Sequence, residues 1–388
     1  LQGDSRNSIS SFLKTTSNVD VAALFEGFWW WILNRSIDQS INRSSMHARP
    51  VVRNSKAESA GARQGETSRT HLIVLANGLW GRSRHWSTVS SYITQELGTR
   101  QHQTAHRVYV STANQGFQTY RGVDVGGDRL KKELDELVRR EHPDADAVSF
   151  IGHSMGGLIA RNAIAKAFDR ETGKLLIGGR ELEPRHYISL ATPHVGFGSD
   201  ETCPLDRAWY IPFSRFVVPL VSSRVLGAAG RQFFLSDKEK VILRMASHVE
   251  LEGLRAFRTR TLYANVSGDH LVGWANSSLR FAHELEDVRA RIAEAQDAEH
   301  RGVVLEDDVA LAMAEATCAP SSVSVPESQA DAMANLCALG WRRIDCSFRN
   351  SRLPGVAHQH IMVQRPLVNG VGRKTAMHLA EQIGMCVV

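Results

Sequence analysis

The chain has 388 residues, enough for one large α/β domain plus additional segments, and its hydrophobic fraction of 43% is ordinary for a globular protein. The net charge of +5 comes without a dense Lys/Arg block, which argues against nucleic-acid binding and leaves a solvated surface of mixed sign, at most weakly drawn to anionic membranes. Five cysteines (Cys203, Cys318, Cys337, Cys346 and Cys386) are odd in number and contain no Cys-x-x-Cys pair, which argues against a disulfide framework or a zinc site; a single bridge such as Cys337 to Cys346 stays open.

That cysteine usage fits a reducing, intracellular compartment, cytoplasmic or organellar, a plastid included. Residues 1–68 are rich in Ser, Asn, Arg and Gln and read as a flexible arm, with Ser55 to Arg69 its least hydrophobic part. Within the arm, Val21 to Leu33 carries Phe28, Trp29, Trp30 and Trp31. It falls short of the ~20 apolar residues that span a bilayer and contains Glu26, so it reads as a short amphipathic helix packed on the domain, with an interfacial patch resting on lipid as the alternative. The chain opens on Leu1, so a targeting segment is not judged from its start.

Ordered structure is expected from Thr70. His71 to Ala76 is nearly pure aliphatic, as in a strand buried on both faces of a parallel sheet, and it ends in the turn Asn77-Gly78-Leu79-Trp80-Gly81. Arg107 to Ser111 is the next strand candidate, followed by an amphipathic helix over Gly126 to Glu141 with Leu130, Leu134, Leu137 and Val138 at helical spacing. The apolar run Ala147 to Ile151 leads into Gly152-His153-Ser154-Met155-Gly156-Gly157 and then a helix-like stretch, Leu158 to Phe168. Tyr187 to Ala191 and Thr261 to Val266 are further strands, ending in Thr192-Pro193-His194 and Ser267-Gly268-Asp269. This alternation predicts a doubly wound, mostly parallel sheet whose ligand crevice lies beyond the carboxyl ends of the strands, where Asn77, Ser154, His194 and Asp269 all fall.

Two inserts interrupt the pattern. Residues 196–256 are unusually apolar, with Trp209, Tyr210, Phe213 and Phe216, and read as a mostly helical cap over the crevice. Residues 281–335 are Ala/Glu/Arg-rich and predict a solvated helix to about Ala298, then a mobile loop. The domain organisation expected is thus an arm over 1–68 and one α/β domain over 70–388 carrying both inserts.

Strand, sharp turn and helix around Gly-x-Ser-x-Gly is the nucleophile elbow of α/β-hydrolases. The glycines let strand and helix pass closely enough to push the Ser154 hydroxyl out, and the Met155 amide at the helix start is placed to stabilise an oxyanion. A second donor is expected from the turn after strand 71–76, with Leu79 favoured over Gly78. A serine hydroxyl needs a base, and the base needs a carboxylate, in the chain order Ser, acid, His. Asp269 fits as the acid; Asp124 and Asp128 precede the elbow and read as helix-start residues, and Asp237 lies in the cap-like insert. Of sixteen histidines, those after Asp269 are His270, His283, His300, His358, His360 and His378. His358 and His360, at the start of a strand-like run Ile361 to Val363, remain as the base, with His358 preferred. His358-x-His360 also reads as a metal-ligand pair, but no third ligand has suitable spacing, and neither metal nor cofactor is expected.

Several stretches together resemble the serine esterases of the DUF676 lipase-like group of plants and fungi: Asn77 to Gly81, Arg121 to Gly127, Gly152 to Arg161, Ala191 to Gly196, Gly230 to Asp237, Tyr263 to Trp274, and Trp341 to Asp345 with the tail through His358. The resemblance runs from about residue 70 to the C-terminus, interrupted by 281–335. It implies an α/β-hydrolase fold, a Ser154–Asp269–His358 triad and hydrolysis of lipid esters, and its tail pattern favours His358 over His360. One departure is Asn77, where the family carries histidine before the first glycine of the oxyanion turn. The expected protein is therefore a cofactor-free serine esterase or lipase acting on a lipophilic acyl ester, with peripheral membrane contact as an accessory. An acyltransferase on the same triad and a catalytically silent lipid-binding or membrane-tethering protein are the rivals.

Overall fold

In the computed structural model, which describes residues 69–99, 104–197, 226–294, 303–309 and 325–385, the aliphatic runs become strands of a single sheet. The arm over 1–68 and the aromatic part of the first insert, 198–225, lie outside the described residues, as do Cys203, Cys318 and Cys386. Strand β1 (Thr70–Ala76) is buried at every position. Its alternate residues enter two different cores: Leu72, Val74 and Ala76 face one, Ile73 and Leu75 the other. Period-two alternation with apolar groups on both sides is what a strand covered by helices on both faces requires.

The elements follow in chain order: α1 (Ser87–Thr99), β2 (Ala105–Val110), α2 (Val123–Arg140), β3 (Ala145–His153), α3 (Met155–Ala167), β4 (Phe168–Asp169), β5 (Lys174–Ile177) and β6 (Arg180–Leu190). Beyond the first insert come α4 (Gly227–Phe233), α5 (Val241–Arg244), α6 (His248–Arg255), β7 (Thr259–Asn265), α7 (Trp274–Ser278) and α8 (Ala282–Glu294). The chain closes with β8 (Val303–Val309), α9 (Gln329–Cys337), β9 (Trp341–Cys346), α10 (Ala357–His360) and α11 (Arg373–Met385). The sheet order is β2-β1-β3-β6-β7-β9-β8, parallel except for β8 against β9, with β4 and β5 forming an antiparallel extension from β6. This is an α/β-hydrolase fold. One face carries α2 and α3 through Leu130, Leu134, Leu158 and Ile164, and the other carries α1 and α11 through Val89, Ile93, Leu379 and Ile383.

Three sequence expectations need correction. Ile361 to Val363 is not strand: His358 and His360 sit on α10, and the apolar residues that follow are a turn buried against the second core. An apolar run of three carries no period, so the local pattern could not separate the two. The second insert is helical over α8 but then supplies an edge strand. In β8 the acidic residues Glu306, Asp307 and Asp308 lie in register with Ile344, Arg343 and Arg342, and Arg342 Nη2 donates to Glu306 Oε2 at 2.8 Å. A segment that reads as part of a mobile loop is thus an edge strand, held by pairing with β9. The third concerns the latter part of the first insert. It is helical, and Val241, Ile242, Leu243, Met245 and Leu251 are buried in the first core, so this part packs on the domain. Cys337 and Cys346 are free thiols, and no helix among the described residues is long and apolar enough to cross a membrane.

Toward the amino edge of the parallel sheet, β1, β2 and β6 contribute His71, His106 and His186, the last level with the start of β7. His71 Nε2 lies 2.7 Å from Ser149 Oγ and its Nδ1 3.3 Å from His106 Nδ1, while His186 Nδ1 lies 2.8 Å from Thr259 Oγ1. Burial, reinforced by Arg185, pushes His71 well below its ordinary value and His186 down to about 4. Both are therefore folded as neutral bases with pKa values below those of the unfolded chain. Above about pH 6.5 neither state binds the protons and stability is complete; as pH falls from there toward 4, only the unfolded chain is protonated and stability declines. The loss of unfolding free energy between pH 7 and pH 4.5, measured by urea titration, is expected to be about 2 kcal/mol smaller in His186→Gln than in the wild type.

Candidate active site

Ser154 stands between β3 and α3 with φ 55° and ψ −128°, a backbone region that L-residues seldom occupy. Its surroundings leave no other conformation. A Cβ on Gly152 would fall 2.4 Å from Gly157 Cα, one on Gly156 would fall 2.2 Å from the Ala76 carbonyl oxygen, and one on Gly157 would fall 2.3 Å from Thr192 Oγ1. The Ser154 amide donates to the Leu190 carbonyl at 2.8 Å, and the Ser154 carbonyl accepts from Thr192 Oγ1 at 2.9 Å. The serine is 8% exposed, at the floor of the carboxyl edge of the sheet.

The turn after β1 packs directly on this elbow. A Cβ on Gly78 would lie 2.8 Å from both Ser154 Cβ and the His153 carbonyl oxygen. Gly81 N donates back to the Gly78 carbonyl at 2.9 Å, and the Trp80 amide is taken by Thr119 Oγ1 at 3.2 Å. Among the described residues, the Leu79 and Met155 amides have no acceptor within the protein. Asn77, 4% exposed, donates from Nδ2 to the Ser111 carbonyl at 3.1 Å and so ties this turn to the loop after β2.

Asp269 follows β7 in a loop that turns at Gly268 (φ 75°), where a Cβ would strike the Pro354 carbonyl oxygen at 2.1 Å. That close approach brings the loop against α10, and Ala357 N donates to the Gly268 carbonyl at 3.2 Å. The Asp269 carboxylate accepts four hydrogen bonds: Leu271 N and Val272 N on Oδ1, both 2.9 Å, and Asn265 Nδ2 (2.8 Å) and His358 Nδ1 (2.9 Å) on Oδ2. Burial pushes this carboxyl up. The charge and hydrogen bond of His358 and the donors from Val272 and Asn265 more than offset it, holding the group below its ordinary range. An ionised carboxylate only accepts, so His358 Nδ1 is the donor in this contact.

The structure therefore brings Asp269 and His358 together and sets His153, the residue before Ser154, against the His358 ring, with centroids 4.7 Å apart. His360 turns elsewhere: its Nε2 lies 2.9 Å from Ser351 Oγ and 2.9 Å from the Leu353 carbonyl, and its Nδ1 accepts from Asn369 Nδ2 at 3.0 Å. His194, although it follows β6, is buried in the core, with Nε2 2.9 Å from Ser189 Oγ, and does not reach the crevice. Asp124 and Asp237 serve helices: Asp124 accepts from Gln232 Nε2 in the first turn of α2, and Asp237 accepts from Val241 N at the start of α5. Sequence reasoning did not single out Asn265, Thr192 or His153. Their signal was position: Asn265 and His153 end strands, and Thr192 opens the turn after one.

Residues 66–279, more than half of the chain, match the family described as Putative serine esterase (DUF676). The chain is 30% identical over 222 residues to Putative lipase ROG1 of Saccharomyces cerevisiae, a match covering 54% of this chain and 29% of that protein. It is 27% identical over 222 residues to Putative lipase YDL109C of the same yeast, covering 55% and 31%. The matched stretch thus spans about three-tenths of these curated relatives. Among solved structures, phospholipase PlaB from Legionella pneumophila is similar at 13% identity and a TM-score of 0.32, covering 50% of this chain and 39% of that one. Carboxyl esterase 2 from the mycorrhizal fungus Tuber melanosporum is similar at 12% identity and a TM-score of 0.32, covering 56% and 63%.

The close packing behind Ser154 makes a measurable contrast between two glycines. Gly156→Ala is expected to destabilise the protein by about 1–3 kcal/mol, because its Cβ meets strand backbone. Gly98→Ala, in α1 where the Cβ meets nothing within 4 Å, is expected to stabilise it by up to about 1 kcal/mol. Urea unfolding of both variants checks the pair.

Proposed function

The chain belongs to the serine esterase family DUF676, and from that premise we propose that it hydrolyses a lipophilic carboxylic ester through an acyl-enzyme on Ser154. The observation that carries the reading is the pairing of His358 Nδ1 with a fully hydrogen-bonded Asp269 carboxylate beside the strained serine turn. In this mechanism Ser154 Oγ attacks the ester carbonyl while His358 Nε2 takes its proton. Asp269 fixes the imidazole tautomer and stabilises the imidazolium that forms. The negative charge on the carbonyl oxygen is met by the amides of Leu79 and Met155. His358 then gives the proton to the leaving alcohol, and water, activated by the same imidazole, releases the acid.

A lipophilic substrate is supported by exposed apolar side chains next to the proposed machinery: Leu271, two residues past Asp269, and Leu353, just before α10, are each 42% exposed. The apolar cap segment around Trp209 to Leu220 is the proposed source of the acyl pocket.

Hydrolysis of p-nitrophenyl esters of increasing acyl length tests the proposal. Ser154→Ala and His358→Ala are each expected to lower kcat by about 10³-fold or more, and the double variant to lose no more than either alone, because the two act as a unit. Asp269→Asn is expected to lose about 10²–10⁴-fold through the wrong tautomer. Equal rates in wild type and both alanine variants would leave a lipid-binding protein on a hydrolase scaffold.

A further inference from the structure

The four-residue helix α10 is too short to hold itself, since a helix of one turn does not offset its own nucleation. Something outside must fix where His358 sits. Two tethers are the Asp269 contact and the bond from Ala357 N to Gly268. A third comes from the other side. His153, the last residue of β3 and 7% exposed, has its Nε2 2.8 Å from the main-chain carbonyl oxygen of His358. Among the described residues that carbonyl receives no backbone amide, so the imidazole is the partner of an acceptor that the end of a helix leaves unsatisfied.

A carbonyl only accepts, so the His153 proton lies on Nε2. Burial, together with the nearby His358 and His85, pushes the His153 pKa down to about 3, although its bond to His358 and the Asp269 charge pull the other way. The ring is therefore neutral, with the lone pair on Nδ1. That nitrogen lies on the side of the oxyanion turn, where a Cβ on Gly78 would come within 3.4 Å. Neutrality matters because the two imidazoles are 4.7 Å apart: a charged His153 would oppose the formation of a second imidazolium on His358.

We propose that His153 is a positioning residue, which uses its Nε2–H to hold the His358 backbone carbonyl and so registers the base against the nucleophile that follows it in the chain. The proposal rests on the reading of Ser154 and His358 as nucleophile and base. One residue thereby links all three parts of the site. Its backbone carries Ser154, its ring holds α10, and its carbonyl abuts the oxyanion turn.

Two amide substitutions separate this role from simple packing. His153→Gln places an NH₂ near the position of Nε2, and His153→Asn places one nearer Nδ1, out of reach of the His358 carbonyl. With p-nitrophenyl butyrate, His153→Asn is expected to lose about 10–100-fold in kcat with KM within about twofold, while His153→Gln keeps kcat within about fivefold. Fluorophosphonate titration counts the competent serines, and circular dichroism reports the fold. The proposal is overturned by wild-type kcat in His153→Asn, by equal losses in the two variants, by an effect on KM alone, or by loss of the fold in both, which would assign His153 to packing. A wild-type protein that neither labels nor differs from Ser154→Ala would instead sink the underlying functional reading.

Discussion

Ser154 holds φ 55° because glycines at 152, 156 and 157 let β3, α3 and the neighbouring loops close to backbone contact, and because Leu190 and Thr192 bind its amide and carbonyl. The remaining features of the carboxyl edge are arranged around that constraint. Trp80, after β1, and Ala191, after β6, also have positive φ, at 54° and 48°. Three adjacent strands thus end in strained turns that pack on one another, and the strain persists because the surrounding sheet over-determines each backbone. Tyr187 OH donating to the Gly157 carbonyl at 2.9 Å and the Arg161 guanidinium donating to the His194 and Met245 carbonyls hold the helix behind the serine in the same way.

The Asp269 side is anchored by charge. Past Asp269, the indole of Trp274 donates to Asp345 Oδ1 at 2.7 Å, and Arg280 Nη1 reaches the same oxygen at 2.8 Å. Arg280 and Asp345 are 1% and 0% exposed, so the pair carries a desolvation cost that their mutual contact and the Trp274 indole offset. Its structural consequence is local: β9, which carries Asp345, is locked to the segment that leaves the Asp269 loop. The short α10 that carries His358 has no comparable ion pair among the described residues, and this is why contacts from β3 and the Gly268 loop matter for it.

Much of this was legible from residues alone. Aliphatic runs marked β1, β3, β6 and β7, because a strand buried on both faces has little choice of side chain. Gly152 and Gly156 marked the elbow, since only glycine tolerates the approach of strand and helix there. The position of Asp269 at the carboxyl end of β7 was legible from its place after a strand. The histidine that meets it was less so. His358 and His360 differ by two residues, and the pattern around them suggested a strand; on the helix that forms instead, one ring meets Asp269 and the other meets Ser351 and Asn369. The acidic β8 was misread because its partners, Arg342 and Arg343, lie far along the chain.

The sequence by itself determined the elements whose chemistry is local: which runs must be buried, where glycine is required, and which serine sits at the sharp turn. Tertiary structure decided what depends on pairing across the chain. It gave the Asp269 carboxylate its four donors, His358 among them, it sent His360 into a separate network, and it set His153 against His358. The physical reason is that steric and hydrophobic demands are written residue by residue, whereas a hydrogen bond has no meaning until its donor and acceptor are brought together.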